Sequence, residues 1–280
     1  MTIAIAALLD SAQRQLTSVS DTPRLDAEIL LAHMLEKPRS YLYAWPERCV
    51  ESAIALRFEE LVARREEGEP VAYITGEREF WSLSLAIAPG VLIPRPETEL
   101  LVELALARLP LKQRAAVVDL GTGSGAIALA IAHERPHARV IATDISGAAL
   151  TQAVANARRL GIENLEFRVG DWCVPLGEEC FDLIVANPPY IARGDSHLMQ
   201  GDLQFEPLGA LVAGVDGLDA IRLIVAQARS HLYADGWLLL EHGYNQGDVV
   251  PTLLCAQGYQ AVELYFDAAG IGRASGGRRG

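Results

Sequence analysis

From about Glu97 onward, short apolar runs alternate with helical segments, and this alternation restricts the fold more than any other feature of the chain. The runs are Ala115–Leu120, Val140–Thr143, Leu165–Val169, Phe181–Ala186, Trp237–Glu241 and Ala261–Phe266. Helical patterns fall at Leu100–Leu109, Ala126–His133, Ala148–Leu160, Ala220–Leu232 and Val249–Ala256. Strands this short and this apolar are buried on both faces, which predicts an α/β fold with a mainly parallel sheet covered by helices on either side.

The first 75 or so residues read differently. Ile3, Leu8, Leu9 and Leu16 give one helical stripe, and Asp21-Thr22-Pro23 opens a second helix with an N-cap candidate and an early proline. Ser40–Ala44 and Val50–Glu67 supply two more helices, so a small bundle is expected. Phe80–Leu85 looks extended, and Gly90 with Pro89, Pro94 and Pro96 marks a rigid connector. The expected division is a helical domain over 1–76, an extended or hairpin linker over 77–96 and the sheet domain over 97–280.

Composition narrows the function classes. Hydrophobic residues at 50% and charged residues at 21% are ordinary for a globular chain. The formal net charge of −12 repels polyphosphate, which argues against nucleic acid as a direct partner. Cys49, Cys173, Cys180 and Cys255 form no C-x-x-C pair and support neither a zinc site nor a disulfide framework. No apolar run reaches membrane-spanning length, and Asp10 interrupts the N-terminal apolar stretch too early for a secretory signal. A cytoplasmic protein without a membrane partner is expected.

Ligand chemistry gathers at the strand ends. Asp119 stands within the first strand, and the loop Gly121-Thr122-Gly123-Ser124-Gly125 follows that strand, where backbone without Cβ atoms can lie against a ligand. Asp144 ends the next strand, 19 residues after Gly125, placed to accept ribose hydroxyls. Gly170-Asp171-Trp172 ends the third with a polar group and an aromatic face for an adenine. The looser dinucleotide fingerprint is also satisfied, so an NAD enzyme stays open. Asp119, preceding the glycines, suits a cofactor with a cationic amino-acid tail, such as S-adenosylmethionine.

The fourth strand delivers Asn187-Pro188-Pro189-Tyr190 to the same edge. The Asn187 side chain and the Pro188 backbone both offer carbonyl acceptors, which together can hold the two N–H groups of a planar –NH₂, with Tyr190 over its face. Such a nitrogen is a poor nucleophile because its lone pair is conjugated, and holding both hydrogens orients it toward an electrophilic methyl. Positioning of this kind contributes roughly 7–11 kcal/mol. No nucleophilic residue and no strong general base is required. His133 and His137 have zinc-like spacing without a third ligand, so no metal is expected. His242 reads as a packing histidine, and Arg64-Arg65 as an exposed helix face.

These segments resemble the PrmC/HemK family, the peptide chain release factor glutamine methyltransferases, within the class I S-adenosylmethionine-dependent methyltransferases. Pro70–Gly76, Arg78–Trp81, Leu92–Glu99, Gln204–Pro207 and Leu239–Gly243 support the match over nearly the whole chain. The resemblance implies a Rossmann-like domain whose seven-stranded sheet ends in an antiparallel strand. It implies methyl transfer to the amide nitrogen of the glutamine in the Gly-Gly-Gln loop of class I release factors, by a monomer. By position, Asp119, Gly121 to Gly125, Asp144, Ile145, Asp171, Trp172 and Asn187 would contact the cofactor. Asn187, Pro188, Pro189 and Tyr190 would hold the glutamine, with Asn187, Pro188 and Tyr190 catalytic and Leu92, Arg95, Pro96 and Glu97 bordering the pocket. The helical domain would recognise the substrate protein. At the C-terminus Ala274-Ser275-Gly276-Gly277 replaces the family's apolar closing strand. A nucleic-acid amino-methyltransferase and a non-catalytic cofactor-sensing module are the alternatives.

Overall fold

The computed structural model describes residues 2–111 and 114–280; residue 1, where the expected helical domain begins, lies outside the described residues. The chain forms two compact units, Met1–Glu77 with Ser196–Phe205, and Arg78–Asp195 with Glu206–Gly280.

In the first unit β1 (Ile3–Ala4) leads into α1 (Ile5–Leu16), followed by α2 (Pro23–Leu35), α3 (Arg39–Ala44), β2 (Cys49–Val50), α4 (Ser52–Glu66) and α5 (Val71–Thr75). The core is built from Leu8, Leu9 and Leu16 of α1, Leu30 and Leu31 of α2, and Phe58 and Val62 of α4. Three local expectations change. Ile3 is exposed and pairs with Val50 in a two-residue ladder, so it belongs to no helical stripe. Thr22 sits at the N-cap of α2 without a side-chain capping bond; its hydroxyl turns to Asp26. Arg65 is not on an exposed face. It is buried, donating to Asp26 Oδ2 at 2.8 Å, to Asp202 Oδ1 at 2.9 Å and to the carbonyls of Gly68 and Glu69. A buried guanidinium must be paired on all sides, and Asp202 supplies one of those pairs. This is why Ser196–Phe205, expected within the sheet domain over 97–280, packs with the helices.

The second unit opens on a hairpin of β3 (Glu77–Phe80) and β4 (Leu83–Ala86), turned by Trp81 and Ser82 at φ 52° and 59°. Successive left-handed residues twist a two-residue turn to match its strands. After α6 (Glu99–Arg108) come β5 (Ala116–Leu120), α7 (Ala126–Glu134), β6 (Arg139–Asp144), α8 (Gly147–Leu160), β7 (Leu165–Val169) and β8 (Phe181–Ala186). The remaining elements are α9 (Asp219–Ala228), β9 (Leu232–Glu241), α10 (Val249–Ala256), β10 (Tyr259–Phe266) and β11 (Gly272–Arg279). Seven strands form one sheet in the order β10-β11-β9-β8-β5-β6-β7, parallel except at β11, which runs antiparallel to both neighbours. The expected seven-stranded, mostly parallel sheet with its antiparallel last strand is therefore present.

The polar C-terminal stretch forms a full strand, and its small residues are what the position requires. β11 lies between β9 and β10, with Ala274 and Ser275 buried. A Cβ on Gly276 would stand 2.7 Å from Leu239 Cδ2, and one on Gly277 would stand 2.8 Å from Tyr259 Cβ. Large neighbours have filled the space that the glycines leave. Ser275 in turn bonds the buried His242 Nε2 at 2.8 Å, which places His242 in packing as expected. Gly277→Ala is expected to cost about 1–3 kcal/mol by overpacking, because the obstructing atom is next to backbone and yields little; urea unfolding at unchanged m-value measures it.

Candidate active site

Strands β5, β6 and β8 are mostly apolar and paired on both sides, and the polar groups that reach the cavity stand where they end. Those ends share one edge: Leu120 stands beside Thr143 and Ala186. The loops that leave them enclose a cavity of about 270 Å³.

Of the eighteen site residues expected from the sequence, eleven come together on its wall. Gly121, Thr122, Gly123, Ser124, Asp144, Ile145, Asp171, Trp172, Asn187, Pro189 and Leu92 line the cavity. Gly121 has φ +73°, and a Cβ there would meet the Trp172 ring at 3.0 Å, so indole and bare backbone are stacked against each other. Asp144 accepts from Gly123 N at 2.9 Å and from Ser146 N at 2.8 Å. Those two bonds fix the carboxylate at the cavity wall and leave it further lone pairs.

Asp119 is placed otherwise. It is buried beneath the loop and off the cavity wall; Oδ2 accepts from the Thr122 hydroxyl at 2.6 Å and from Ala128 N at 3.2 Å. Oδ1 is buried without a hydrogen-bond partner among the described residues, and desolvation raises the group's pKa to about 7. Asp119 thus shapes the loop from below. Gly125 caps α7 and also lies off the wall.

At the acceptor end, Asn187 Nδ2 donates to Thr98 Oγ1 at 3.1 Å. The amide nitrogen is thereby engaged, and Asn187 has its carbonyl left to offer. Pro188 is buried and lies off the wall. Tyr190 packs against the sheet core, and its hydroxyl donates to Glu241 Oε1 at 3.2 Å. Burial and the Glu241 charge hold the phenol protonated. Arg95 is committed to an ion pair with Glu206, which also accepts from Ile93 N at 3.1 Å. This pairing ties the loop carrying Val91, Leu92 and Pro94 to that carrying Pro207, Gly209 and Ala210, and both loops line the cavity. Pro96 and Glu97 are exposed and off the wall.

Thr98, Glu206 and Glu241 carry geometry that the sequence reading did not assign. The signal for Glu241 was available: a carboxylate closing an apolar strand, as at Asp144. Thr98 had none, since a threonine between two glutamates is ordinary surface composition.

Two family models match the chain, the PrmC N-terminal domain over residues 7–76 and the methyltransferase small domain over residues 97–202. The release factor glutamine methyltransferase of Coxiella burnetii is 51% identical, over 95% of this chain and 96% of its own. That of Vibrio cholerae is 50% identical, over 99% and 98%. The chain belongs to the release factor glutamine methyltransferase family. Among solved structures, the T. thermophilus 16S rRNA N2 G1207 methyltransferase in complex with AdoMet and guanosine superposes with TM-score 0.55 at 21% identity, covering 73% of this chain and 50% of that one. At that identity the likeness concerns the fold, and it agrees with the strand order found here. Membership in this methyltransferase family sets aside the dinucleotide reading of the glycine loop. Among the described residues no helix is long and apolar enough to cross a membrane.

Asp119 gives this site a measurable signature. Its pKa is raised in the folded chain, so the native state holds that proton more firmly than the unfolded state does. Its favourable contribution is complete below about pH 4 and is lost as pH rises through about 7. Asp119→Asn removes the loss. Urea titrations at pH 5 and pH 8 are expected to show the variant gaining on the wild type at pH 8, by about 1 kcal/mol or more.

Proposed function

We propose that this enzyme transfers a methyl group from S-adenosylmethionine to the side-chain amide nitrogen of the glutamine in the Gly-Gly-Gln loop of class I release factors. The observation that carries the reading is the Asn187 amide, tied through its nitrogen to Thr98 so that its carbonyl remains for a ligand. It stands on one cavity with a glycine loop and a strand-end carboxylate. About 50% identity to named release factor glutamine methyltransferases over nearly the whole chain supports the substrate.

The wall fits the cofactor. Asp144 retains acceptor capacity for ribose hydroxyls, Gly121 and Gly123 present bare backbone, and Ile145 and Trp172 supply apolar surface for a base. When bound, S-adenosylmethionine supplies an electrophilic methyl on a cationic sulfonium and leaves as S-adenosylhomocysteine. Asn187 Oδ1 and the Pro188 carbonyl accept the two amide hydrogens of the glutamine and aim its nitrogen. Their dipoles stabilise the positive charge that gathers on that nitrogen as it is alkylated, and one of its two protons then leaves to solvent. Pro188 and Pro189 stiffen the acceptor turn, so the carbonyls are aimed before the substrate arrives.

In this reading residues 1–76 recognise the release factor, 77–96 connect, and 97–280 carry out the transfer. The enzyme works as a cytoplasmic monomer, and its −12 charge keeps nucleic acid from being a direct substrate. The test offers labelled S-adenosylmethionine with a release factor or duplex DNA in separate reactions. Label is expected on the Gly-Gly-Gln glutamine; label on DNA alone would sink the assignment. Asn187→Ala is expected to lower kcat by about 10²–10³-fold, as loss of one positioned polar group does, while cofactor Kd by calorimetry changes far less. Asp144→Ala should show the reverse split, weakening cofactor binding about 10–100-fold through a lost charged hydrogen bond.

A further inference from the structure

Resting on that reading, we propose that Gln246 is a positioning residue for the methyl acceptor: its side-chain amide grips the Tyr190 carbonyl and so holds the turn Asn187–Tyr190 with its own carbonyls aimed. Pro188 and Pro189 have no N–H to donate, so the turn cannot pin itself through its two middle residues. It is anchored at its ends. Ala186 enters it from the ladder, paired with Leu120 on one side and Leu240 on the other, and the Asn187 amide nitrogen is tied to Thr98. At the exit, Gln246 Nε2 donates to the Tyr190 carbonyl at 3.1 Å. Ile191 N then donates to the Leu211 carbonyl at 2.9 Å, and the Ile191 carbonyl accepts from Ala213 N at 3.0 Å.

The Gln246 amide is buried and has one orientation. Oε1 accepts from Gly243 N at 2.8 Å, just past β9. Nε2 faces three carbonyls, those of Tyr190 at 3.1 Å, Gly217 at 3.4 Å and Asp216 at 3.5 Å. A flipped amide would set its oxygen against those carbonyls and its nitrogen against a donor. Gly217, at φ +76°, makes the grip possible: a Cβ there would stand 2.2 Å from the Tyr190 carbonyl oxygen and 3.0 Å from Gln246 Nε2. The exit of the turn is thus clamped between bare backbone and a buried amide. Gln246 also closes the loop after β9, but through its backbone carbonyl, which accepts from Val249 N and Val250 N at the start of α10. The side-chain donor does something else: it reaches 56 residues back to the acceptor turn. Gln246 lies off the cavity wall, so it acts through that turn. With φ locked at both prolines, a displaced Tyr190 carbonyl is carried back to the Pro188 carbonyl and not absorbed between them.

The experiment is steady-state methylation of a release factor by the full chain, with S-adenosylmethionine Kd measured by calorimetry on the same samples. Gln246→Glu keeps the shape and the acceptor for Gly243 N while replacing the donor with an oxygen. It is expected to lower kcat about 10–100-fold, the scale of a misplacement of about 1 Å, with cofactor Kd unchanged. Gln246→Met removes the donor without adding charge and should lower kcat by a similar factor. In the Asn187→Ala background the same substitutions are expected to cost less than about threefold, because residues that serve one clamp lose their effect together. A residue that only stabilises the fold would cost the same in both backgrounds. Wild-type kcat in Gln246→Glu, or in Gln246→Met should the first variant not fold, would overturn the grip alone, as would equal losses with and without the Asn187 amide. A wild-type enzyme that labels no glutamine would overturn the parent reading and the grip with it.

Discussion

The hydrogen-bond ladder through β5, β6 and β8 governs everything functional in the second unit. Each of these strands is paired on both sides and covered on both faces, so a polar side chain within them would be buried without water. Their interiors are accordingly mostly Val, Ile, Leu and Ala, with the buried Asp119 and Thr143 as exceptions, and the groups that line the cavity stand where the ladder stops. Parallel strands stop together, which brings Gly121, Asp144 and Asn187 to one edge although they are far apart in sequence. The crevice at the carboxyl edge follows from sheet geometry.

The two buried carboxylates show how that edge is held from inside. Asp119 sits one residue short of the end of β5, and Glu241 sits at the end of β9, each with one oxygen unpartnered. An orphaned buried oxygen costs about 1–3 kcal/mol, a cost that no packing argument offsets. Each holds one hydroxyl: Asp119 that of Thr122 in the cofactor loop, Glu241 that of Tyr190 in the acceptor turn. At Asp119 a group off the cavity wall fixes a hydroxyl that borders it. The cavity's orientation is therefore set one layer below its surface.

The legible and illegible parts of the sequence divide along the same line. Gly121, Asp144, Trp172 and Asn187 were readable because strand periodicity puts them at strand ends, and a polar residue after an apolar run is a local signal. Thr98 and Glu206 were not, since their meaning depends on partners 89 and 113 residues away, Asn187 and Ile93. Arg95 and Tyr190 look like free polar groups in sequence. In space Arg95 is spent on Glu206, and Tyr190 on Glu241. Arg65 misled for the same reason: its neighbours are charged, as on a surface helix, while the acids that bury it, Asp26 and Asp202, lie on other segments.

The C-terminal strand carries this argument to its end. Glycine and serine are poor strand formers on an open surface because they bring little side chain to pack. β11 is not on an open surface; it is inserted between β9 and β10, where Leu239 and Tyr259 already occupy the volume that side chains at Gly276 and Gly277 would need. The apolar contribution of the strand has moved to its neighbours, and the backbone ladder holds it in place together with polar contacts from Ser275, Arg278 and Arg279. Ser275 keeps a side chain because His242 needs a partner for Nε2, and His242 follows Glu241 directly. Propensity fails at this strand because it scores each residue by what it adds, whereas here the fold depends on what the residues leave out.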